Sequence, residues 1–225
     1  MPKRKKALAA AASEHGADFV RKLESMRDPK ERILFAAEAI FAQRGFGGAR
    51  TQQIADLASV NKAMIHYYFD SKEGLFHAVL DQLLFDLIKL TQETVRRDLP
   101  PAELLEVFLQ GFFDYVAEHK NFSRLTAMTL GTSDRYLARM VETFFKPIFD
   151  RGVEFIERGT SAGAFRQVDA RHAVVSIYGM MISYFSDAEF VEMLLGEDPL
   201  TERMIAQRRE ALIDTVFAML GCKRP

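Results

Sequence analysis

The sequence predicts an all-α protein with a small N-terminal three-helix domain and a larger helical C-terminal domain. Apolar residues recur at helical spacing in successive segments, and no segment shows the period-two alternation of a half-buried strand. Pro29 and the pair Pro100-Pro101 stand where new helices are expected to begin, since proline suits a first helical turn. We therefore predict an N-terminal extension over 1–27, a first domain over 28–76 and a second domain over 77–225.

The composition permits a substantial core and argues against a secreted or membrane protein. The chain has 225 residues, of which 48% are hydrophobic, but no apolar run approaches the length needed to cross a bilayer. The apolar run that follows Lys3 to Lys6 is too short and too alanine-rich for a signal peptide. Cys222 is the only cysteine, which suits a reducing compartment, and we interpret it as a passive thiol. A cytoplasmic protein without membrane contact is expected.

The charge is distributed unevenly along the chain. Residues 1–72 contain 13 Lys and Arg against 8 Asp and Glu, whereas residues 73–225 contain 17 against 23. A basic N-terminal part is expected to face phosphates while the acidic remainder stays away from them. The basic extension over 1–27 has two interpretations: a solvated tail, or an arm that adds phosphate contacts or enters a minor groove.

The first strong helical pattern runs from Pro29 to Arg44 and has the character of a scaffold. Gly45 is expected to end this helix, and Phe46 to fold back against it. Its apolar stripe follows the i, i+3, i+4, i+7, i+8 spacing and consists of Ile33, Ala36, Ala37, Ile40 and Phe41.

Two short helical patterns joined by a tight corner follow, between Arg50 and Lys72. Thr51 is expected to cap the first, and Asn61 the second. The second pattern offers only Ile65 and Phe69 to a core, so most of its surface remains available. A short helix with so few buried positions usually contacts a partner, and this arrangement predicts a helix-turn-helix. The first pattern buries Ile54, Ala55 and Ala58, and the corner is assigned to Leu57, Ser59 and Val60.

A helix-turn-helix predicts which side chains contact DNA. Lys62 can donate to guanine, and Ala63 or Met64 can pack on a thymine methyl group. Lys72, near the start of the next helix, is interpreted as a phosphate clamp. For each residue the alternative is a solvated surface position. The full set of candidates is Arg50, Thr51, Asn61, Lys62, Ala63, Met64, His66, Tyr67, Tyr68 and Lys72.

Three pieces of the N-terminal part, in this order and spacing, resemble a known family. They are ILFAAEAIFAQRGF, TQQIADLASVNKAMIHYYF and SKEGLFHAV, and they are similar to the N-terminal domain of TetR-type transcriptional regulators. Ser59 stands where that family generally has glycine, which costs roughly 1 kcal/mol if the corner requires positive φ. The resemblance implies a two-fold dimer, an effector pocket in the helical body, and repression that a ligand relieves.

The last two predicted helices indicate how a dimer would form. The helix from Asp169 to Ser186 is apolar around most of its circumference and therefore needs cover on two faces. Together with the helix from Thr201 to Leu220 it would form a four-helix interface with a second copy of the chain. Two copies related by a two-fold axis would place their helix-turn-helix motifs on a palindromic operator, about 34 Å apart.

The helical body contains the residues expected to bind a small molecule. Eight of the 19 phenylalanines lie between Phe108 and Phe155, and aromatic and methionine side chains adapt to flat or apolar ligands. Ordinary core packing is the alternative for each of them. Pro147 is expected to kink a long helix over 135–158. The candidates are Phe108, Phe112, Tyr115, Met128, Phe144, Phe145, Phe149, Tyr178 and Met181.

These patterns lead to one function and one alternative. We expect a ligand-responsive transcriptional repressor that binds double-stranded DNA as a homodimer and is released by a small hydrophobic or aromatic effector. The alternative is a helical small-molecule-binding protein or enzyme whose helix-turn-helix does not act on DNA. The sequence shows no phosphate-cradling glycine loop and no nucleophile–base pair, and His77 with Asp81 offers only two metal ligands. No enzyme activity, metal or cofactor is expected.

Overall fold

The fold is helical throughout the part of the chain that the structure describes, as the sequence predicts. The computed structural model describes residues 16–119, 121–130 and 135–225, so the basic residues Lys3, Arg4, Lys5 and Lys6, and with them the choice between a tail and an arm, lie outside it. The chain divides into two compact units, Met1–Leu83 and Leu84–Pro225. Within the described ranges, no helix is both long enough and apolar enough to cross a bilayer.

The described residues of the first unit, from residue 16 onward, form four helices and the start of a fifth. Part of the N-terminal extension is helical: Phe19 of the first helix stacks on Phe35 of the second, with ring centroids 4.6 Å apart. The helices are α1 (Ala17–Ser25), α2 (Pro29–Gly48), α3 (Thr51–Ala58), α4 (Lys62–Phe69) and the first turns of α5 (Lys72–Val95).

Helix α2 is the scaffold that the apolar stripe predicts. The Asp28 side chain accepts a hydrogen bond from the Lys30 N–H at 2.9 Å, which caps the helix just before Pro29. All five residues of the predicted stripe are buried. Gly45 interrupts the helix with φ 67°, a conformation that glycine adopts at little cost. Phe46 then lies against Phe41, with ring centroids 6.1 Å apart, so the chain folds back as predicted.

The corner between α3 and α4 is a Schellman motif. The Val60 N–H donates to the Ala55 carbonyl at 3.0 Å, and the Ser59 N–H donates to the Asp56 carbonyl at 3.2 Å. Ser59 itself is left-handed, with φ 56° and ψ 45°. Leu57, which the sequence assigned to the corner, is instead a buried residue of α3.

The second unit contains the rest of α5 and the remaining helices. The two C-terminal helices begin where the sequence predicts, with Asp169 and Thr201 as their side-chain caps. A short helix between them was not predicted. The helices are α6 (Pro101–Glu118), α7 (Asn121–Leu130), α8 (Arg135–Met140), a π-helical segment (Val141–Phe145), α9 (Lys146–Ser161), α10 (Ala170–Ser186), α11 (Ala188–Leu195) and α12 (Glu202–Leu220).

Pro147 is accommodated by a π-helical segment, which interrupts the long α-helix expected over residues 135–158. Proline lacks the N–H that an α-helix requires, and its ring crowds the carbonyl four residues earlier, here that of Thr143. Val141–Phe145 widens the turn that contains Thr143, and the Lys146 N–H donates to the Val141 carbonyl five residues back. Pro147 then lies in the first turn of α9, where no N–H is needed.

The strained corner gives a stability prediction. Replacing Ser59 with glycine removes the clash of its Cβ in the left-handed conformation and should raise the free energy of unfolding by about 1 kcal/mol. Chemical denaturation followed by circular dichroism measures this change.

Ser59→Ala is the matched control, because alanine keeps the Cβ and should bring no gain. A Ser59→Gly protein no more stable than Ser59→Ala would show that the corner stores no such strain.

Candidate nucleic-acid interface and ligand cavity

Helix α4 is anchored by two side chains and capped at its start. Ile65 is fully buried and Phe69 is 8% exposed, whereas no other residue of the helix is buried. The Asn61 side-chain oxygen accepts a hydrogen bond from the Ala63 N–H at 2.9 Å, as the sequence predicts. The face opposite these anchors is therefore open to a partner.

The C-terminal end of α4 is held in a rare turn. Asp70 has φ 66° and ψ −48°, and the Ser71 N–H donates to the Phe69 carbonyl at 2.7 Å, which defines a γ-turn with positive φ. The His66 ring supports it, because Nδ1 lies 2.9 Å from the Asp70 carbonyl oxygen and must donate to it. A Cβ on Gly74 would lie only 2.2 Å from the Phe69 carbonyl oxygen, so this position requires glycine.

The predicted DNA-contacting residues lie on the accessible surface of the first unit. Tyr67 is 82% exposed, and its ring packs edge-on against Tyr68 with centroids 5.0 Å apart. Exposed positions are Arg50, Asn61, Lys62, Ala63, His66 and Tyr67, and half-buried ones are Thr51, Met64, Tyr68 and Lys72. Their contacts with DNA remain predictions.

Thr51 does not cap α3, which corrects the sequence assignment. Thr51 is the first residue of the helix, and the N-cap position belongs to Arg50. The Gln53 side-chain oxygen accepts a hydrogen bond from the Arg50 N–H at 3.3 Å, so a residue inside the first turn stabilises the start of the helix. The capping role was misplaced because threonine is the stronger intrinsic cap former.

Lys72 is more constrained than a free phosphate clamp. Its ammonium group donates to the carbonyls of Phe46 at 2.8 Å and Ala49 at 3.2 Å, and lies 4.4 Å from the centroid of the Phe46 ring. These contacts tie the start of α5 to the turn that follows the break in α2. An ammonium has three N–H donors, so the two described acceptors leave one donor for a phosphate.

An apolar cavity of about 350 Å³ lies within the second unit. It falls at the small end of the range for ligand pockets in proteins, about 300–1,000 Å³. Six of the nine predicted ligand-binding residues line it, namely Phe108, Phe112, Phe145, Phe149, Tyr178 and Met181. The remaining lining residues are Leu87, Phe122, Val141, Lys146, Ile148, Val174, Val175, Ile177 and Ile182.

Tyr115, Met128 and Phe144 are not among the residues that line this cavity, and their assignment as ligand contacts stays a prediction. Tyr115 stacks on His119, with ring centroids 4.0 Å apart. Phe144 is buried edge-on against Phe85, at 5.0 Å between centroids, whereas its neighbour Phe145 is directed to the cavity and to Tyr178. Met128 is half-buried on α7.

Lys146 was missed by the sequence analysis and is the one charged residue among the described residues that line the cavity. It is paired with Asp150 one helical turn further along α9, and both side chains are about half exposed. An exposed pair with this spacing stabilises a helix by only ~0.3–0.5 kcal/mol. The sequence offers one indication of its location: Lys146 directly precedes Pro147, and proline favours the first turn of a helix, here α9.

A second apolar surface lies on α11. Met193 is 77% exposed and Leu194 is 67% exposed, and Phe190 lies one turn earlier on the same face. Large apolar side chains at i, i+3 and i+4 form a stripe that water covers poorly, and such patches mark interaction surfaces. Sequence analysis missed this helix because it is only two turns long and follows α10 directly.

Neither unit offers other recognisable chemistry in the part of the chain described. Among those residues no group of three or more His, Cys, Asp and Glu side chains is placed to hold a metal ion. Cys222 is half-buried, and burial raises the pKa of its thiol, which disfavours the reactive thiolate.

Comparisons with known proteins agree with this architecture. Residues 33–79 match the family described as "Bacterial regulatory proteins, tetR family". Residues 101–216 match the family described as "Tetracyclin repressor-like, C-terminal domain". The two matches fall on the helix-turn-helix and on the unit that holds the cavity.

Individual relatives are transcriptional regulators. The HTH-type transcriptional regulator RutR of Escherichia coli K12 is 30% identical over 167 residues, which cover 74% of this chain and 78% of RutR. The HTH-type transcriptional repressor NicS of Pseudomonas putida is 29% identical over 180 residues, covering 75% of this chain and 81% of NicS. The crystal structure of AibR in complex with isovaleryl coenzyme A and operator DNA has a similar fold, with a TM-score of 0.70, 18% identity, and coverage of 84% of this chain and 98% of AibR. The chain therefore belongs to the tetR family of bacterial regulatory proteins, as the sequence resemblance predicts, and is a helix-turn-helix transcriptional regulator.

Proposed function

We propose that the protein is a homodimeric repressor that binds a palindromic operator and is released when a small hydrophobic or aromatic molecule occupies the cavity of its second unit. One observation carries this proposal: α4 buries only Ile65 and Phe69, and its other six residues are exposed or half-buried between two capped ends. Such a helix contributes little to a core and suits insertion into a major groove.

The side chains on α4 and around it supply both kinds of DNA contact. Lys62, Ala63, Met64, His66 and Tyr67 would face base edges, and Arg50, Thr51, Asn61, Tyr68 and Lys72 would lie against phosphates. One short helix contacts only a few base pairs. Two copies about 34 Å apart would contact successive major grooves and thereby recognise a palindrome.

A homodimer through the last helices is supported by their composition and by the exposed apolar stripe on α11, although most of the large apolar residues of α12 are buried within the chain. Helices α10 and α12 have the composition expected of a four-helix interface, and α11 adds the exposed stripe of Phe190, Met193 and Leu194. Covering that stripe with the same stripe of a second copy would remove it from water.

The cavity supports control by a ligand. Its lining is almost entirely apolar, which favours a hydrophobic or aromatic effector. Helix α5 contributes Lys72 to the first unit and Leu87 to the cavity wall, so it is a physical connection through which occupancy can change the DNA-binding state. Any such shift is limited by the difference in the ligand's affinity for the two states. NicS is named a repressor, and AibR was solved with both a coenzyme A thioester and operator DNA.

The phosphate contact of Lys72 can be measured from salt dependence. Each neutralised phosphate contributes about 0.9 to the slope of log affinity against log salt concentration. Lys72→Met should therefore reduce the slope by about 1.8 per dimer. Tyr67→Ala should weaken binding about tenfold with the slope unchanged, because it removes no charge. Fluorescence anisotropy with DNA from upstream of the gene, between 50 and 200 mM salt, measures both effects.

Lys89→Met is the matched control, since Lys89 is an exposed lysine on the same helix but in the second unit. It should behave like the parent. Weaker binding by Lys72→Met with an unchanged slope would mean that Lys72 acts only through Phe46 and Ala49. A parent protein whose affinity does not depend on salt would overturn DNA binding itself.

Dimerisation through the α11 stripe is tested by placing a charge in it. Leu194→Glu should raise the dimer dissociation constant at least about 100-fold, because a carboxylate would be buried without a partner. Light scattering during size-exclusion chromatography at micromolar protein should then detect monomer. Val95→Glu, an exposed apolar position on α5, should leave the dimer intact. If Leu194→Glu stays fully dimeric, or the parent is monomeric, the proposed interface is wrong.

A further inference from the structure

The cavity has an apolar floor and an exposed mouth that carries a charged side chain. Leu87, Phe122 and Met181 form part of the floor and are almost completely buried. Val141 and Val175 are exposed lining residues and therefore mark the mouth, where Lys146 also lies. Apart from Lys146, the lining residues that the structure describes carry a single polar side-chain group, the Tyr178 hydroxyl.

This distribution restricts where a ligand can place its polar atoms. A charged group on the floor, or a polar group there that does not reach the Tyr178 hydroxyl, would lose its water without gaining a hydrogen bond, which is strongly unfavourable. The ligand's polar part must therefore remain at the mouth, where water and Lys146 are available. Burial also raises the pKa of Tyr178, so its hydroxyl stays protonated at neutral pH and can donate to an oxygen of the ligand.

The positive charge of Lys146 at the mouth favours a ligand that carries a negative charge. Lys146 lines the cavity, whereas its partner Asp150 does not. The pair is exposed, so exchange of the Asp150 carboxylate for another anion costs little. The aliphatic stem of Lys146 can pack along the apolar wall while its ammonium group stays in water.

We propose that the effector is an amphipathic anion, with an apolar body inside the cavity and an anionic oxygen group held at its mouth by Lys146. This inference rests on the proposed function, since it specifies the ligand class of the same cavity. A neutral hydrocarbon would form no charge-assisted hydrogen bond with the Lys146 ammonium, and a cationic amphiphile would be repelled by it.

The test compares three probes that contain ten carbon atoms each and differ at the terminal carbon: decanoate, decanol and decylammonium. The carboxyl carbon makes the apolar chain of decanoate one methylene shorter, which works against the expected preference. Isothermal titration calorimetry on the full-length protein, below the micelle concentration of each probe, gives the dissociation constants. Decanoate should bind about three- to tenfold more tightly than decanol, as expected for a partly exposed charge-assisted hydrogen bond. Decylammonium should bind more weakly than decanol. Decyl phosphate, as a fourth probe, distinguishes a carboxylate from a phosphate head group.

Variants assign the preference to Lys146. Lys146→Met keeps the apolar stem and removes the charge, so it should abolish the preference for decanoate and leave decanol binding unchanged. Lys223→Ala, at an exposed lysine that does not line the cavity, should change nothing. Val175→Trp narrows the mouth at an exposed position and should weaken all the probes together.

The outcomes separate this inference from the proposed function. If decanol binds the parent as tightly as decanoate, or if the preference survives in Lys146→Met, the anionic effector is wrong and an apolar ligand still fits. If none of the probes binds, the cavity is not an effector site, and ligand control fails together with the inference.

Discussion

The helix proposed to read DNA, α4, has two side chains in the core, and this constraint governs the rest of the first unit. Burial of Ile65 and Phe69 stabilises the fold by about 1.5–3 kcal/mol each, and the other six residues of α4 are not buried. Two anchors on one short helix leave its direction poorly determined by packing alone. Its direction is therefore set by the backbone at its ends, where Ser59 and Asp70 both have positive φ. Such conformations cost about 1–3 kcal/mol each, and they persist because the surroundings enforce them.

The surroundings of α4 form a chain of close contacts. The His66 ring holds the Asp70 carbonyl, Gly74 allows α5 to approach the Phe69 carbonyl, and the Lys72 ammonium joins α5 to the turn after α2. These contacts fix the orientation of α4, which its two buried side chains alone would not fix. Helix α4 can therefore keep a fixed orientation while its surface stays available to a partner. A DNA-reading helix requires both.

Helical periodicity predicts the helices and buried faces well, but it says little about where individual side chains point. Asn61, Ile65 and Phe69 were predicted correctly because capping and apolar spacing are local properties. Phe144 and Phe145 are adjacent in sequence and identical in type, yet one enters the core and the other the cavity, because neighbouring residues on a helix point about 100° apart and the sequence does not show which direction faces the cavity. The acceptors of Lys72 come from residues 23 and 26 positions earlier, and no local pattern indicates such contacts. Helix α11 escaped prediction because it has only eight residues and follows α10 directly, and the sequence could not show that its apolar stripe is exposed.

The most direct test of the account is selection of binding sites from random double-stranded DNA by the full-length protein, followed by sequencing. The account predicts a two-fold symmetric motif whose half-sites are centred about one helical turn apart, or a multiple of it. The same selection with Ala63 and Tyr67 both replaced by other residues should yield altered bases within each half-site and an unchanged spacing. Enrichment of an asymmetric motif would contradict the two-fold dimer, and a motif that ignores both substitutions would contradict the assignment of α4 as the DNA-reading helix.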